Sequence, residues 1–283
     1  EQFGSLVQFS SLLTISGVII SFCKDKILNK SKYFLILTIF SCPILIFLLS
    51  GNKPQIFYSS ILFLSFAFNF TKFKSRTLDF KSYLIINILI CICVMGKFSF
   101  NLTGALIWIY STLNYFKRND IKIIVIPATV FILLFFPFIY WKFSNLEGEI
   151  INYFFSPFPL HMPGYETFLS HNRGSQEIPF PNFLFYTSLS RITEFLAFNS
   201  IFFIILIFFL RKSYEIRIIL LLSSVFVIVS NIYASPSARY YLDVILWFTL
   251  GIIFINNNNL IKYLKILFTP QILIVLLILI YSV

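Results

Sequence analysis

Charge is scarce in this sequence, since only 12% of its 283 residues are Asp, Glu, Lys or Arg, against about a quarter in an ordinary soluble domain. That shortage argues against a water-soluble globular domain. Cysteine is equally sparse: Cys42, Cys91 and Cys93 lie inside apolar runs and Cys23 at the end of one, which excludes a disulfide framework. The spacing Cys91-x-Cys93 is not a metal pair, and with only two histidines in the chain no metal site is expected. The sequence also lacks a P-loop, a dinucleotide fingerprint, a nucleophile elbow and any haem or cluster motif, so neither soluble-enzyme chemistry nor a bound cofactor is expected.

What the chain has instead is 58% hydrophobic and 20% aromatic residues, the composition of an integral membrane protein. Apolar runs between charged breaks predict an all-α, polytopic transmembrane helix bundle of about ten spans, near 5–22, 33–50, 54–70, 82–95, 99–116, 123–141, 195–210, 218–233, 239–256 and 266–282. The expected organisation is transmembrane helices over 1–141, an extracytoplasmic and partly re-entrant loop over 142–194, and further transmembrane helices over 195–283.

The net charge of +11 reports orientation here, not a nucleic-acid partner. Loops 23–32, 71–81, 117–122, 211–217 and 257–265 hold sixteen of the twenty-two basic residues, which by the positive-inside rule places them in the cytoplasm. The turns near Gly51, Gly96 and Ser235 and the long loop then face outward, with seven acidic residues against six basic ones. A cell membrane, bacterial inner membrane type, is the expected location. Residue 1 also falls outside, from which an odd number of preceding spans is expected, as in the C-terminal portion of a larger protein. Loss of the first span, or pairing of two short runs as a re-entrant hairpin, would change this parity.

Between Lys142 and Glu194 the oily chain turns polar, with both histidines, five of the eleven acidic residues and five of the eleven prolines. The segment Pro157-Phe158-Pro159-Leu160-His161-Met162-Pro163-Gly164-Tyr165-Glu166 reads as a lid or re-entrant turn, followed by His171 and Arg173. Glu166 is the carboxylate best placed as a general base, and His161 or His171 suits proton shuttling or a hydroxyl-rich ligand. A solvated loop with satisfied polar groups is the plain alternative.

Three cations on the expected outer side defy the charge rule. Lys53 sits in Gly51-Asn52-Lys53-Pro54, Lys97 in Met95-Gly96-Lys97, and Arg239 in Ser235-Pro236-Ser237-Ala238-Arg239. Each lies at the outer end of a hairpin of spans, where cations converge on a lipid phosphate or pyrophosphate; snorkelling of long side chains is the alternative. Asp243, four residues after Arg239, shares its helix face, either as a structural ion pair or as the group that orients the guanidinium for phosphate.

The turns Gly51-Asn52-Lys53-Pro54-Gln55, Lys97 and Ser237-Ala238-Arg239-Tyr240-Tyr241-Leu242, each opening a span, resemble the GT-C superfamily of polytopic glycosyltransferases. The resemblance covers most of the chain through short strings, and it implies transfer of a sugar from a polyprenyl-phosphate carrier to a glycan or lipid acceptor at the outer face. Lys53, Lys97 and Arg239 would then hold the carrier phosphate, with His161 to Arg173 covering the acceptor. Members of that superfamily usually carry their catalytic carboxylate in the first outer loop. This sequence has no such loop, so the family's base maps onto no residue here and Glu166 is the fallback. An O-antigen-type polymerase or ligase and a lipid-linked sugar transporter or flippase are the rival readings.

Overall fold

The computed structural model describes residues 2–22, 29–50, 54–74, 78–97, 100–116, 121–145, 214–233 and 241–253, together with residues 262, 265, 266, 268, 269, 271–273 and 276. Among them the chain is all-helical, with no strand. The helices are α1 (Gln2–Phe22), α2 (Asn29–Phe40), α3 (Pro43–Ser50), α4 (Gln55–Lys74), α5 (Phe80–Gly96), α6 (Asn101–Phe116), α7 (Lys122–Asn145), α8 (Tyr214–Tyr233) and α9 (Leu242–Ile253). They coincide with the expected apolar segments except at 33–50. There Pro43 interrupts the run, and two helices stand where one was expected, because proline offers no N–H to the ladder. The segment 195–210, nearly all of the 142–194 loop and most of 266–282 lie outside the described residues.

Helix α1 contains an 18-residue window, Gly4–Ser21, long and apolar enough to cross a membrane; a signal segment near an N-terminus meets the same criterion. Among the described residues it is the one helix to do so, while stretches of α4, α5, α7 and α9 are apolar but shorter.

The chain divides into two compact units, residues 1–67 with 178–283, and residues 68–177. In the first, α9 is central, with all twelve of its residues buried, as expected of a helix that is apolar on every side. Trp247 of α9 packs on Phe66 of α4, ring centroids 5.2 Å apart, and on Phe226 of α8 at 5.9 Å in an edge-on arrangement. Phe226 also meets Tyr241 edge-on at 5.9 Å. These aromatic contacts fix α9 against α8, and α1 touches both α2 and α9.

In the second unit α5 packs against both α6 and α7. Its start is set by Asp79, whose carboxylate accepts the Ser82 N–H at 3.1 Å, a cap of the kind that contributes about 0.5–2 kcal/mol. The α5–α6 approach is closest at Gly104. A Cβ there would lie 2.9 Å from Val94 Cγ2 and 3.1 Å from Ile90 Cγ2, so hydrogen is the substituent that fits. Replacing Gly104 by valine is therefore expected to destabilise this unit by about 1–3 kcal/mol through overpacking. Equilibrium unfolding in detergent measures it, and an unchanged midpoint would refute the close approach.

Candidate functional site

Of the eight residues singled out in the sequence, Lys53, His161, Glu166, His171, Arg173 and Arg239 lie outside the described residues. Lys97 and Asp243 are described, and they belong to different units. Lys97 ends α5 in extended conformation, with its backbone N–H donating to the Cys93 carbonyl at 3.1 Å. The turn that carries it is thus closed by the helix itself.

Asp243 is the buried one of the described acidic residues. It lies in the first turn of α9 and is 3% exposed, whereas the other described acidic residues, Asp79 and Glu215, are exposed and half-buried. Trp247, one turn further along α9, meets Phe66 near mid-length of α4. Asp243 therefore sits about one helical turn, ~6 Å, from that level. The helix N-terminus beside it favours a negative charge.

Two further polar groups escaped the sequence reading. The first lies in the second unit, where α4, α5, α6 and α7 contribute one side of a hydrogen-bond network. Asn69 Nδ2 donates to Ser111 Oγ at 2.8 Å, Asn114 Nδ2 donates to Asn69 Oδ1 at 3.2 Å, and Ser111 Oγ donates to the Ile107 carbonyl at 2.7 Å. Beside it the Tyr83 hydroxyl meets Thr112 Oγ1 at 2.8 Å and the Ile123 carbonyl at 3.4 Å. Ile123 is the residue whose carbonyl Pro127, four positions on and inside α7, cannot engage. Tyr83 thus donates to the carbonyl that proline leaves open, and Thr112 donates to Tyr83. Tyr115 stacks on the Tyr83 ring at 4.7 Å and holds it in place.

The second group is the break between α2 and α3, in the first unit. Cys42 is buried at the break, its backbone N–H donating to the Ile39 carbonyl at 3.0 Å and its carbonyl accepting the Ile46 N–H at 3.1 Å. Ser41 Oγ lies 3.0 Å from both the Thr38 carbonyl and Gln271 Oε1. Gln271 is fully buried, and its Nε2 makes no hydrogen bond among the described residues. The signals for both groups were in the sequence, as polar side chains and a proline inside apolar runs, but their partners come from elsewhere in the fold.

Among the described residues no group of three or more His, Cys, Asp or Glu side chains gathers to hold a metal ion. Among the described residues the polar side chains hold helices together by hydrogen bonds, and Asp243 is a buried carboxylate.

The model of the family described as the DUF1420 N-terminal domain matches residues 1–283. No curated protein and no solved structure matches the chain.

The pairing of Tyr83 with the proline-freed carbonyl has a measurable signature. Tyr83→Phe should cost about 0.5–1.5 kcal/mol, and less in a Pro127→Ala background, where the backbone N–H of residue 127 takes over the Ile123 carbonyl. A double-mutant cycle on unfolding free energy checks this; strict additivity would contradict it.

Proposed function

We propose that this chain, which belongs to the DUF1420 N-terminal domain family across residues 1–283, is a multi-pass membrane protein of about ten spans that transfers a sugar from a polyprenyl-phosphate carrier. The observation that carries the reading is that large apolar side chains cover exposed helix faces while several polar side chains are buried. Exposed positions hold Leu6, Phe9, Leu13, Ile124, Leu133 and Phe136, each more than half exposed, and they come from α1 and α7. Buried positions hold Ser11, Thr38, Ser65, Asn69, Asn87, Ser111 and Thr249. Lipid tails suit the first set, and helix contacts satisfy the second.

The catalytic proposal rests on the cations of the outer turns, Lys53, Lys97 and Arg239. In the reaction an acceptor hydroxyl oxygen bonds to the anomeric carbon as the bond from that carbon to the carrier phosphate oxygen breaks. A carboxylate, with Glu166 as the candidate in this chain, takes the hydroxyl proton. The cations stabilise the charge arriving on the leaving phosphate, and His161, His171 and Arg173 cover the acceptor.

A second reading, movement of a lipid-linked sugar without chemistry, is favoured by one specific observation. Asp243 is a buried carboxylate within the apolar bundle, and ionisable groups at such depth commonly mark a transport path. Reconstituted protein separates the two readings, because transfer yields a glycosylated acceptor and a free carrier phosphate, while flipping yields neither.

Single replacement of Lys53, Lys97 or Arg239 by alanine should weaken binding of a polyprenyl-phosphate sugar by about tenfold or more, the scale of one charge-assisted hydrogen bond. Binding assays in detergent or nanodiscs measure it, and wild-type affinity in all three variants would sink the phosphate clamp.

A further inference from the structure

We propose that the seam between α2 and the described helical residues from Lys262 to Leu276 docks an anionic phospholipid of the cytoplasmic leaflet. Three contacts make these two helical segments neighbours. Phe268 meets Phe34 edge-on with ring centroids 6.3 Å apart, Lys265 Nζ lies over the Phe34 ring at 5.9 Å, and Gln271 Oε1 lies 3.0 Å from Ser41 Oγ. Later residues of one segment meet later residues of the other, so the two run in the same direction.

The open side of the seam follows from helical geometry. At about 100° per residue, Tyr33 and Leu37 are rotated in one sense from Phe34, while Lys262, Lys265, Leu273 and Leu276 are rotated in the other sense from Phe268. Between parallel helices that face each other, opposite rotations lead to the same side. All six residues are exposed, so both banks of the seam are open there.

Polarity is graded along those banks as it is along a phospholipid. Lys262, Lys265 and Tyr33 stand at the end where both segments begin, and Leu37, Leu273 and Leu276 line the seam further on. Between them Thr269 turns its hydroxyl back to the Lys265 carbonyl at 2.9 Å, which hides it against its own helix. From Lys265 to Leu276 the axial rise is about 16 Å, half of a ~30 Å hydrocarbon core and thus the depth of one leaflet.

Charge selects the headgroup. Neither residues 29–40 nor residues 262–276 include an acidic side chain, so a phosphodiester meets two lysines with no local counter-charge from either segment. The Phe34 ring draws the Lys265 ammonium to the seam. This proposal rests on the membrane reading above, which places the lysine-rich loops in the cytoplasm, and it needs neither the sugar donor nor the outer cations.

The full chain reconstituted in phosphatidylcholine vesicles tests it, with Trp108→Phe and Trp141→Phe, the buried Trp247 kept as a constant background, and a Leu273→Trp reporter on the seam. Quenching is compared for phosphatidylglycerol and phosphatidylcholine with brominated chains. The reporter should respond to phosphatidylglycerol at about a tenfold or more lower mole fraction, on the scale of about fivefold for each lysine. Lys262→Gln with Lys265→Gln should make the two lipids equal, whereas Lys265→Arg and Lys81→Gln, the latter on α5, should keep the preference. Equal quenching by both lipids in the parent overturns the phospholipid site and leaves the membrane reading standing, while no quenching by either overturns both. A preference that survives the double lysine change overturns the assignment of the headgroup to those lysines. A preference abolished by soluble glycerophosphate makes this a site for free phosphate and overturns the lipid as its occupant.

Discussion

The structure depends on one constraint: polar groups buried among apolar helices must find partners inside the fold, because burial takes them away from water. Serine and threonine meet it locally. Ser11, Thr38, Ser111 and Thr249 each donate back to the carbonyl four residues earlier, which hides the hydroxyl against its own helix. Asn87 does the same, its Nδ2 donating to the Tyr83 carbonyl at 2.8 Å, whereas Asn69 bridges to Ser111 and Asn114 on α6. Proline creates the same demand on the backbone. At Pro127 a tyrosine from α5 answers it, and at Pro43 the Cys42 N–H takes the Ile39 carbonyl.

This difference between the two prolines separates the units in character. Around Pro127 the Thr112 and Tyr83 hydroxyls link to the Ile123 carbonyl, and the stacked Tyr115 ring lies against Tyr83. Around Pro43 the Gln271 Nε2 makes no hydrogen bond among the described residues. The first unit also encloses α9 and the buried Asp243.

Much of the helical layout was legible in the sequence, since apolar runs bounded by lysine and arginine mark α1, α4, α5, α6, α7 and α8. The break in 33–50 was not, because summed apolarity cannot see that Pro43 removes a donor from an otherwise favourable window. Asp243 was read as sharing a helix face with Arg239, either as an ion pair or as the group that orients the guanidinium; Arg239 lies outside the described residues, and what the structure adds is the burial of Asp243. Lys97 could be placed at a helix end from Gly96 alone, while the pairing of Asn69 with Ser111, forty-two positions apart, is a property of tertiary structure. Local spacing finds elements and faces, whereas partners and depth belong to the assembled bundle.

The central claim is that the apolar faces of these helices meet lipid while the polar groups are turned inward. Trp108 on α6 is 38% exposed, and Trp247 on α9 is fully buried, so the chain carries its own pair of reporters. Single-tryptophan proteins that retain one or the other, reconstituted in vesicles with brominated acyl chains, measure lipid contact directly. The account predicts strong quenching of Trp108 and little of Trp247. Equal quenching of the two, or no quenching of Trp108, would contradict it.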